Sequence, residues 1–395
     1  MRLRIVGVLL LLLIGFLTFN FFRPIPAIAA TASVPASTRI SGTTPALPWP
    51  SVGSAAVAVS GLGLIAISGT ETPAPAASVA KVMTALVVLE DKPMVGNDPG
   101  PAITITDADV QAYQSDKAEQ QSVVAVNPGE QLSEYQALQG LLIPSGNNIA
   151  FTLANWDAGS VAAFVAKMNK RAKALGMTHT KFADAAGASA QTVSTPSDLV
   201  ALGMTAMKQP VLAQIVAMTQ AKLPVAGIVY NVNYVLGQSG IIGIKTGSGL
   251  NLGANFLFAA SATVGNFTLT VFGCVMGQPT LDIAFAAAKA LIAAMQPQLK
   301  IARVLSKYEA VGSYEPAWGG HSDLLSTVNV DLVEWPGMIL IQSLRAPALS
   351  LSQPLPPGSS GGALHIALGN YDLDIPLTTR DALYPPGRFW RLTRI

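Results

Sequence analysis

The residues from Ser78 to Glu90, SVAKVMTALVVLE, are apolar around almost the whole helical wheel. A helix with that pattern is buried rather than lying on a surface. Lys81 is the exception, because an ammonium group costs free energy to bury and usually responds with a lowered pKa. Ser78 stands three positions earlier, so its hydroxyl and the amine of Lys81 share one face of the first turn. We therefore predict that the chemistry of this chain is centred on this pair.

The patterns on either side of this helix predict one domain over residues 55–299. Strands come first, several helices follow, and further strands and a last helix close the segment. That order predicts an α/β (α+β) domain in which an antiparallel sheet is flanked by a cluster of helices. The predicted elements are a hairpin over 55–68, a polar surface excursion over 107–127, helices over 131–143, 149–156, 161–175 and 197–207, strands over 241–247, 255–264 and 267–276, and a helix over 281–295.

The pattern of residues along the chain changes after residue 299. Helical periodicity is lost, Pro and Gly become frequent, and short strands are predicted over 327–333, 338–344 and 363–368. Residues 300–395 are therefore predicted to form a small all-β domain, with the final RFWRLTRI as its last strand. This segment carries no catalytic pattern, so we expect it to space, dock or orient the first domain.

The N-terminus has the pattern of an export signal. Two arginines in MRLR precede an apolar stretch over residues 5–22, which is nearly long enough to span a bilayer. Ala27-Ile28-Ala29 resembles a signal peptidase site, so residues 1–30 are either a cleaved signal peptide or a retained anchor. Residues 31–54 are rich in Pro, Ser, Thr and Ala and are predicted to be a flexible linker. In both cases the body of the protein is expected to be extracytoplasmic.

Composition removes several classes of function. Of 395 residues, 50% are hydrophobic and 12% are charged, and the net charge is +2. A nucleic-acid partner is not expected, because the sequence has no concentrated basic patch. A metal is not expected either, because three scattered histidines and the single Cys274 have no ligand spacing. Cys274 lies in the apolar run VFGCVMG and is predicted to be a buried, inert thiol.

Three short motifs occur in a fixed order along the chain: Ser78-Val79-Ala80-Lys81, Ser145-Gly146-Asn147 and Lys245-Thr246-Gly247. Each alone arises easily by chance. Together they match the signature S-x-x-K, S-D-N and K-T-G of class A β-lactamases and penicillin-binding proteins, with Gly in place of Asp.

The chain resembles the serine-type D-alanyl-D-alanine carboxypeptidases, which are low-molecular-mass penicillin-binding proteins of the peptidase S11 family. The resemblance rests on ASVAKVMTALVVLE, LLIPSGNNIAFTLA, FVAKMNKRAKALGMTHTKF, STPSDLVALG and GIKTGSG, and it runs from about Ala55 to Met295. It implies a β-lactamase/DD-peptidase-like catalytic domain followed by a β-rich domain. It also implies hydrolysis of the terminal D-alanine of peptidoglycan stem peptides, covalent inhibition by β-lactams and no cofactor.

The resemblance also implies roles for the motif residues. Ser78 is the expected nucleophile, since a hydroxyl needs an adjacent base to attack an amide. Lys81 is that base, because burial and the second cation, Lys245, both lower its pKa. Ser145 relays a proton toward the leaving amine, and Asn147 holds Lys81 and hydrogen-bonds the substrate amide.

The end of the strand predicted over 241–247 is expected to bind the substrate. Lys245 and Thr246 bind its terminal carboxylate, and Gly247 leaves room for an extended peptide along the strand. The backbone N–H groups of Ser78 and Ser248 stabilise the oxyanion, the second by carry-over from the family.

Three positions depart from the family pattern. Gly249 stands where the family commonly has Thr, Gly187-Ala188 replaces a Gly-Leu pair, and Val232 aligns with an Arg that helps to bind the carboxylate in some relatives. Carboxylate recognition is then left to Lys245 and Thr246.

Other functions remain open at this stage. They are a peptidoglycan DD-endopeptidase, a β-lactamase, and a non-enzymatic penicillin-binding scaffold that has lost turnover. A β-lactamase is disfavoured because it needs a deacylating carboxylate, and no Glu occurs between Ser145 and Lys245.

Overall fold

The computed structural model describes residues 2–95, 98–249 and 251–394. The chain forms two compact units. One is Pro45–Leu299, and the other is built from both ends of the chain, Met1–Thr44 and Lys300–Ile395.

The described residues form ten α-helices. They are α1 Arg2–Phe22, α2 Lys81–Asp91, α3 Asp107–Ala118, α4 Glu134–Leu142, α5 Asn147–Ala158, α6 Val161–Ala174, α7 Pro196–Ala206, α8 Pro210–Val216, α9 Leu281–Met295 and α10 Arg388–Thr393.

The same residues form twenty strands. They are β1 Ala30–Ala32, β2 Ser37–Arg39, β3 Ser54–Val59, β4 Gly63–Ser68, β5 Ala74–Pro75, β6 Ala102–Thr104, β7 Gln131–Ser133, β8 Val193–Ser194, β9 Gln220–Leu223, β10 Gly227–Tyr230, β11 Ile241–Gly249, β12 Gly253–Val264, β13 Phe267–Gln278, β14 Lys300–Leu305, β15 Ala310–Tyr314, β16 Ser322–Ser326, β17 Val330–Glu334, β18 Ile339–Arg345, β19 Ser360–Leu368 and β20 Tyr371–Thr379.

The unit Pro45–Leu299 is built on a five-stranded antiparallel sheet in the order β11-β12-β13-β3-β4. The predicted hairpin over 55–68 forms β3 and β4, and the three strands predicted after residue 240 form β11, β12 and β13. Helices α7 and α9 pack on this sheet, and α9 has the predicted bounds. The predicted α+β class is therefore confirmed for this unit.

The predicted buried helix is α2, and every residue from Lys81 to Leu89 is buried. It lies among α4, α5, α6 and α7, which cover its apolar sides. The helix starts later than the sequence suggests, because Ala77–Ala80 forms a tight 3-10 turn that carries Ser78. The polar excursion over 107–127 contains one helix, α3, which starts at a capping box of Thr106 and Asp109.

The other unit contains a seven-stranded sheet in the order β1-β15-β16-β20-β19-β18-β2. Its two outer strands come from the N-terminal segment, because β1 pairs with β15 and β2 pairs with β18. The prediction of a flexible linker over 31–54 is therefore wrong for its first part. Polar residues such as Ser37-Thr38-Arg39 suit solvent-exposed edge strands, and composition alone does not separate that case from a linker.

The last residues form a helix rather than the predicted strand. Helix α10, Arg388–Thr393, packs against the end of α1. Six residues of mixed basic and aromatic character carry little periodicity, so tertiary packing decides their conformation.

Candidate active site

Ser78 lies on the 3-10 turn that leads into α2 and is partly exposed. The residue before it, Ala77, has a φ of 48°, a left-handed conformation that alanine rarely adopts. Two glycines let other backbone segments approach this turn. A Cβ on Gly187 would lie 1.8 Å from the Ala77 carbonyl oxygen, and one on Gly247 would lie 3.0 Å from the Ser78 nitrogen. The nucleophile turn, Ala77–Ala80, thus packs between two chain segments. These segments can come so close because they carry glycine at positions 187 and 247.

Lys81 is completely buried, and its amine contacts three oxygens. They are Ser78 Oγ at 2.8 Å, Asn147 Oδ1 at 2.5 Å and the Ala186 carbonyl oxygen at 2.9 Å. A protonated amine fills this site with its three N–H groups. A neutral amine can keep donating to the amide and the carbonyl while its lone pair accepts the Ser78 hydroxyl proton. The site therefore accommodates both protonation states.

Burial holds the pKa of Lys81 well below its usual value, and the positive charge of Lys245 lowers this pKa further. The carboxylates of Asp184 and Asp116 act in the opposite direction and raise it. The net lowering increases the fraction of neutral amine near pH 7, so the group next to Ser78 can serve as a base.

Ser145 lies in the tight connection between α4 and α5, and Asn147 is the first residue of α5. Ser145 has a φ of 67°, and its buried hydroxyl has no hydrogen-bond partner among the described residues. Asn147 links Lys81 to the opposite wall, because its amide nitrogen donates to Gln121 Oε1. The predicted contact between Asn147 and Lys81 is present, whereas Ser145 makes no hydrogen bond to either lysine.

Lys245, Thr246 and Gly247 lie on β11 and are buried. Burial lowers the pKa of Lys245 to about 7, and its amine donates to the Thr246 carbonyl oxygen at 3.1 Å. The room beside Gly247 is taken by the backbone of residues 76–79. This glycine thus leaves room for the nucleophile turn, and the expectation that an extended peptide lies along the strand stays a prediction.

A cavity of about 750 Å³ opens over Ser78. Of the predicted site residues, Ser78, Asn147 and Ser248 line it, while Lys81, Ser145, Lys245, Thr246 and Gly247 are buried and do not. The rest of its wall comes from residues 119–122, from Gly187, Ala188 and Ala190, and from Gly249, Asn251 and Leu252. Residues 119–122 lie in the predicted surface excursion, and Gly187, Ala188 and Gly249 are among the departures from the family pattern. Among the described residues, no group of three or more His, Cys, Asp or Glu side chains could hold a metal ion.

Asn148 holds the wall 119–126 in place. Its side chain accepts from the Val124 N–H at 2.9 Å and donates to the Val124 carbonyl at 2.9 Å, while the Asn147 N–H donates to the Ser122 carbonyl at 2.8 Å. Sequence reasoning missed Asn148, although the doubled Asn after Ser145-Gly146 was a signal. It also missed Asp184, whose side chain binds four successive N–H groups of the other wall.

The buried Lys245 makes stability depend on pH. Its pKa is about 7 in the folded protein and about 10.4 in an unfolded chain. Between these values the unfolded state binds one more proton, so the free energy of unfolding rises with pH by about 1.4 kcal/mol per unit from this residue. Below pH 7 both states are protonated, and the buried cation lowers stability by its full amount.

We expect Lys245→Met to raise the melting temperature at pH 6 and to flatten its rise between pH 7 and pH 10. Thermal unfolding of both proteins across this range measures the effect, with the exposed Lys222 changed to Met as the control. Parallel pH dependences of wild type and Lys245→Met would contradict the assignment.

Comparison with known proteins places this chain in a family. A family model described as D-alanyl-D-alanine carboxypeptidase matches residues 63–280, more than half of the chain. The chain is 36% identical over 180 residues to the D-alanyl-D-alanine carboxypeptidase DacB2 of Mycobacterium tuberculosis, covering 44% of this chain and 57% of that protein. It is 36% identical over 141 residues to a D-alanyl-D-alanine endopeptidase of Pseudomonas aeruginosa, covering 35% and 42%. The chain thus spans about half the length of these two relatives.

The fold is similar to that in crystal structures of penicillin binding protein 5 from Haemophilus influenzae. The TM-score is 0.63 over 87% of this chain and 100% of that chain, at 20% sequence identity. At this identity the likeness concerns the fold, and it confirms the predicted DD-peptidase-like architecture with a separate β-rich region.

Proposed function

Because this chain belongs to the D-alanyl-D-alanine carboxypeptidase family, we propose that it is a serine peptidase that removes the terminal D-alanine from peptidoglycan stem peptides. The observation that carries the proposal is the pair of Ser78 Oγ and Lys81 Nζ, 2.8 Å apart. A hydroxyl next to a buried amine of lowered pKa is an activated nucleophile. β-Lactams are expected to acylate the same serine.

In acylation, Lys81 takes the hydroxyl proton as Ser78 Oγ attacks the carbonyl carbon of the penultimate D-alanine. The backbone N–H groups of Ser78 and Ser248 stabilise the negative charge on the carbonyl oxygen. The C–N bond then breaks, and the leaving amine receives the proton from Lys81. A relay through the Ser145 hydroxyl requires this side chain to turn toward Lys81, because it makes no hydrogen bond to the lysine in the free protein. In deacylation, water attacks the Ser78 ester, and the serine regains its proton as the shortened peptide leaves.

The substrate is held by groups around this pair. Asn147 already donates one amide N–H to Gln121, and its second N–H is assigned to the substrate amide. Lys245 and Thr246 are assigned to the terminal carboxylate, and Gly247 lets the nucleophile turn lie against them. An incoming carboxylate raises the pKa of Lys245 and stabilises its charged form.

The direct test is incubation of the purified full-length protein with a muramyl pentapeptide and a fluorescent penicillin. We expect release of free D-alanine and a covalent label on Ser78. A protein that does neither is a scaffold without turnover, and the proposed activity fails.

An endopeptidase is the second candidate, because a relative with the same identity of 36% is named D-alanyl-D-alanine endopeptidase. The same chemistry acts there on a cross-linked peptide. Incubation with a purified cross-linked muropeptide dimer separates the two. Cleavage of the dimer without D-alanine release from the pentapeptide would favour the endopeptidase.

We also propose that α1 is a retained membrane anchor and that the protein works on the outer face of the membrane. Arg4–Phe22 is long and apolar enough to cross a bilayer. The Arg394 guanidinium donates to the carbonyl oxygens of Asn20 at 2.8 Å and Pro24 at 2.9 Å, and thus caps the end of α1. In the candidate cleavage site, Ile28 is buried and exchanges two backbone hydrogen bonds with Leu349. These contacts favour retention over cleavage.

We expect the mature protein to keep residues 1–30 and to stay with membranes after an alkaline carbonate wash. Intact-mass spectrometry of the protein that remains in a bacterial membrane fraction after this wash measures both properties. A mature N-terminus at Ala30 together with a soluble protein would exclude an anchor.

A further inference from the structure

We propose that Asp184 is a positioning residue that sets the place and the basicity of Lys81 by organising the cavity wall 184–192. The inference concerns the same site as the proposed function. It requires only that Lys81 acts as the base toward Ser78, whichever acyl group Ser78 attacks.

The Asp184 carboxylate is the centre of this wall. Its Oδ1 accepts from the backbone N–H groups of Ala186 at 2.7 Å, Gly187 at 2.5 Å and Ala188 at 3.1 Å. Its Oδ2 accepts from the Ser189 N–H at 3.0 Å and from the Thr192 hydroxyl at 2.8 Å. Five donors on one carboxylate define the path of the loop, since charge-assisted hydrogen bonds are among the strongest in proteins.

The loop organised in this way holds α2 at two points, one turn apart. The Ala186 carbonyl accepts from Lys81 Nζ at 2.9 Å, and the Ala185 carbonyl accepts from Thr84 Oγ1 at 2.6 Å. Both acceptors are aimed by the turn that Asp184 closes. Without the carboxylate, the N–H groups of residues 186–189 lose their common acceptor, and the acceptor of Lys81 is no longer held in place.

The same loop fixes the nucleophile turn from the other side. Gly187 has a φ of 74°, and its position leaves no room for a Cβ next to the Ala77 carbonyl. Asp184 therefore determines the surroundings of both members of the reacting pair, although it touches neither of them. This makes it a positioning residue rather than a catalytic one.

Asp184 also contributes through its charge. Four effects set the pKa of Lys81. Burial in the core and the charge of Lys245 on β11 lower this pKa, while the charges of Asp184 in this loop and Asp116 on α3 raise it. Removing the negative charge of Asp184 is therefore expected to lower the pKa of Lys81 further. The acid limb of acylation, where Lys81 loses its proton, would move to lower pH.

The test compares Asp184→Asn with Asp198→Asn in the full-length protein. Asp198 is a comparable control, because this buried carboxylate likewise accepts from a backbone N–H, that of His179 at 2.9 Å, and from a hydroxyl, that of Thr180 at 2.7 Å, yet none of these groups contacts Lys81. We expect the acylation rate of Asp184→Asn by a fluorescent penicillin to fall roughly 100-fold, as for other misplaced reacting groups. We expect its acid limb to shift downward, and Asp198→Asn to keep the wild-type rate and profile.

A second readout separates this inference from the proposed activity. The titration of Lys81 can be followed by NMR of protein labelled with ¹³Cε-lysine, the signal being assigned by its loss in Lys81→Arg. A lowered Lys81 pKa in Asp184→Asn alone supports the inference even if no D-alanine is released. Thr192→Val, which removes one of the five donors, provides a milder variant if Asp184→Asn does not fold. Equal rate losses in Asp184→Asn and Asp198→Asn, or an unmoved Lys81 titration, would overturn the inference.

Discussion

Replacing Ser78 by alanine is expected to abolish covalent labelling by penicillin and to lower the rate of D-alanine release by roughly 10⁶-fold, as removal of the nucleophile does in other serine hydrolases. The hydroxyl is the only proposed acyl acceptor of the protein, and no neighbouring group can replace the bond that it forms. The fold should persist, because Ser78 is partly exposed on a short turn and alanine fits there.

The matched control is Ser115→Ala. This serine lies exposed on α3 and outside the cavity over Ser78, so labelling and turnover should equal those of the wild type. Gel fluorescence and a D-alanine assay on the same preparations are sufficient. Stoichiometric labelling that survives in Ser78→Ala would place the acylated serine elsewhere.

Replacing Lys81 by arginine is expected to slow acylation by about 10³- to 10⁴-fold, which is the upper range for loss of a general base. The guanidinium keeps the positive charge but does not lose a proton at accessible pH, so it cannot accept the Ser78 proton. Raising the pH should therefore not restore the rate. This separates loss of the base from a shift in its pKa.

Stopped-flow acylation by a chromogenic β-lactam, measured between pH 5 and pH 10, provides the measurement. Lys222→Arg serves as the control, because Lys222 is exposed on β9 and lies outside the cavity. A Lys81→Arg variant that recovers the wild-type rate at high pH would show that another group takes the proton.

The sequence predicted the central parts of the fold and the site for a physical reason. The burial of α2 and the strands β11, β12 and β13 follow from local patterns of apolar residues, and Lys81 was conspicuous because it interrupts such a pattern. Asn147 was expected near Lys81, and the structure places its Oδ1 2.5 Å from the amine.

The parts that the sequence did not predict depend on contacts between distant residues. Ala77 has a left-handed conformation, and Gly187, far along the chain, packs against its carbonyl. The donors to Asp184 are close to it in sequence, but the hydrogen bond that connects this loop to α2, from Lys81 to the Ala186 carbonyl, spans 105 positions. The burial of Lys245 and Thr246 below the cavity likewise follows from how β11 lies against the nucleophile turn.

The N-terminal strands have a consequence for biosynthesis. β1 and β2 are made first, but they pair with β15 and β18, and Ser33 bonds to Ala310, which is 277 positions away. Closing such a long loop adds little entropy cost per extra residue, but non-local pairing of this kind is slow. During synthesis these strands must therefore wait unpaired until the last quarter of the chain has been made. The edges of that sheet are then the last part to fold, and a nascent chain that stalls before this point exposes unpaired strands to its neighbours.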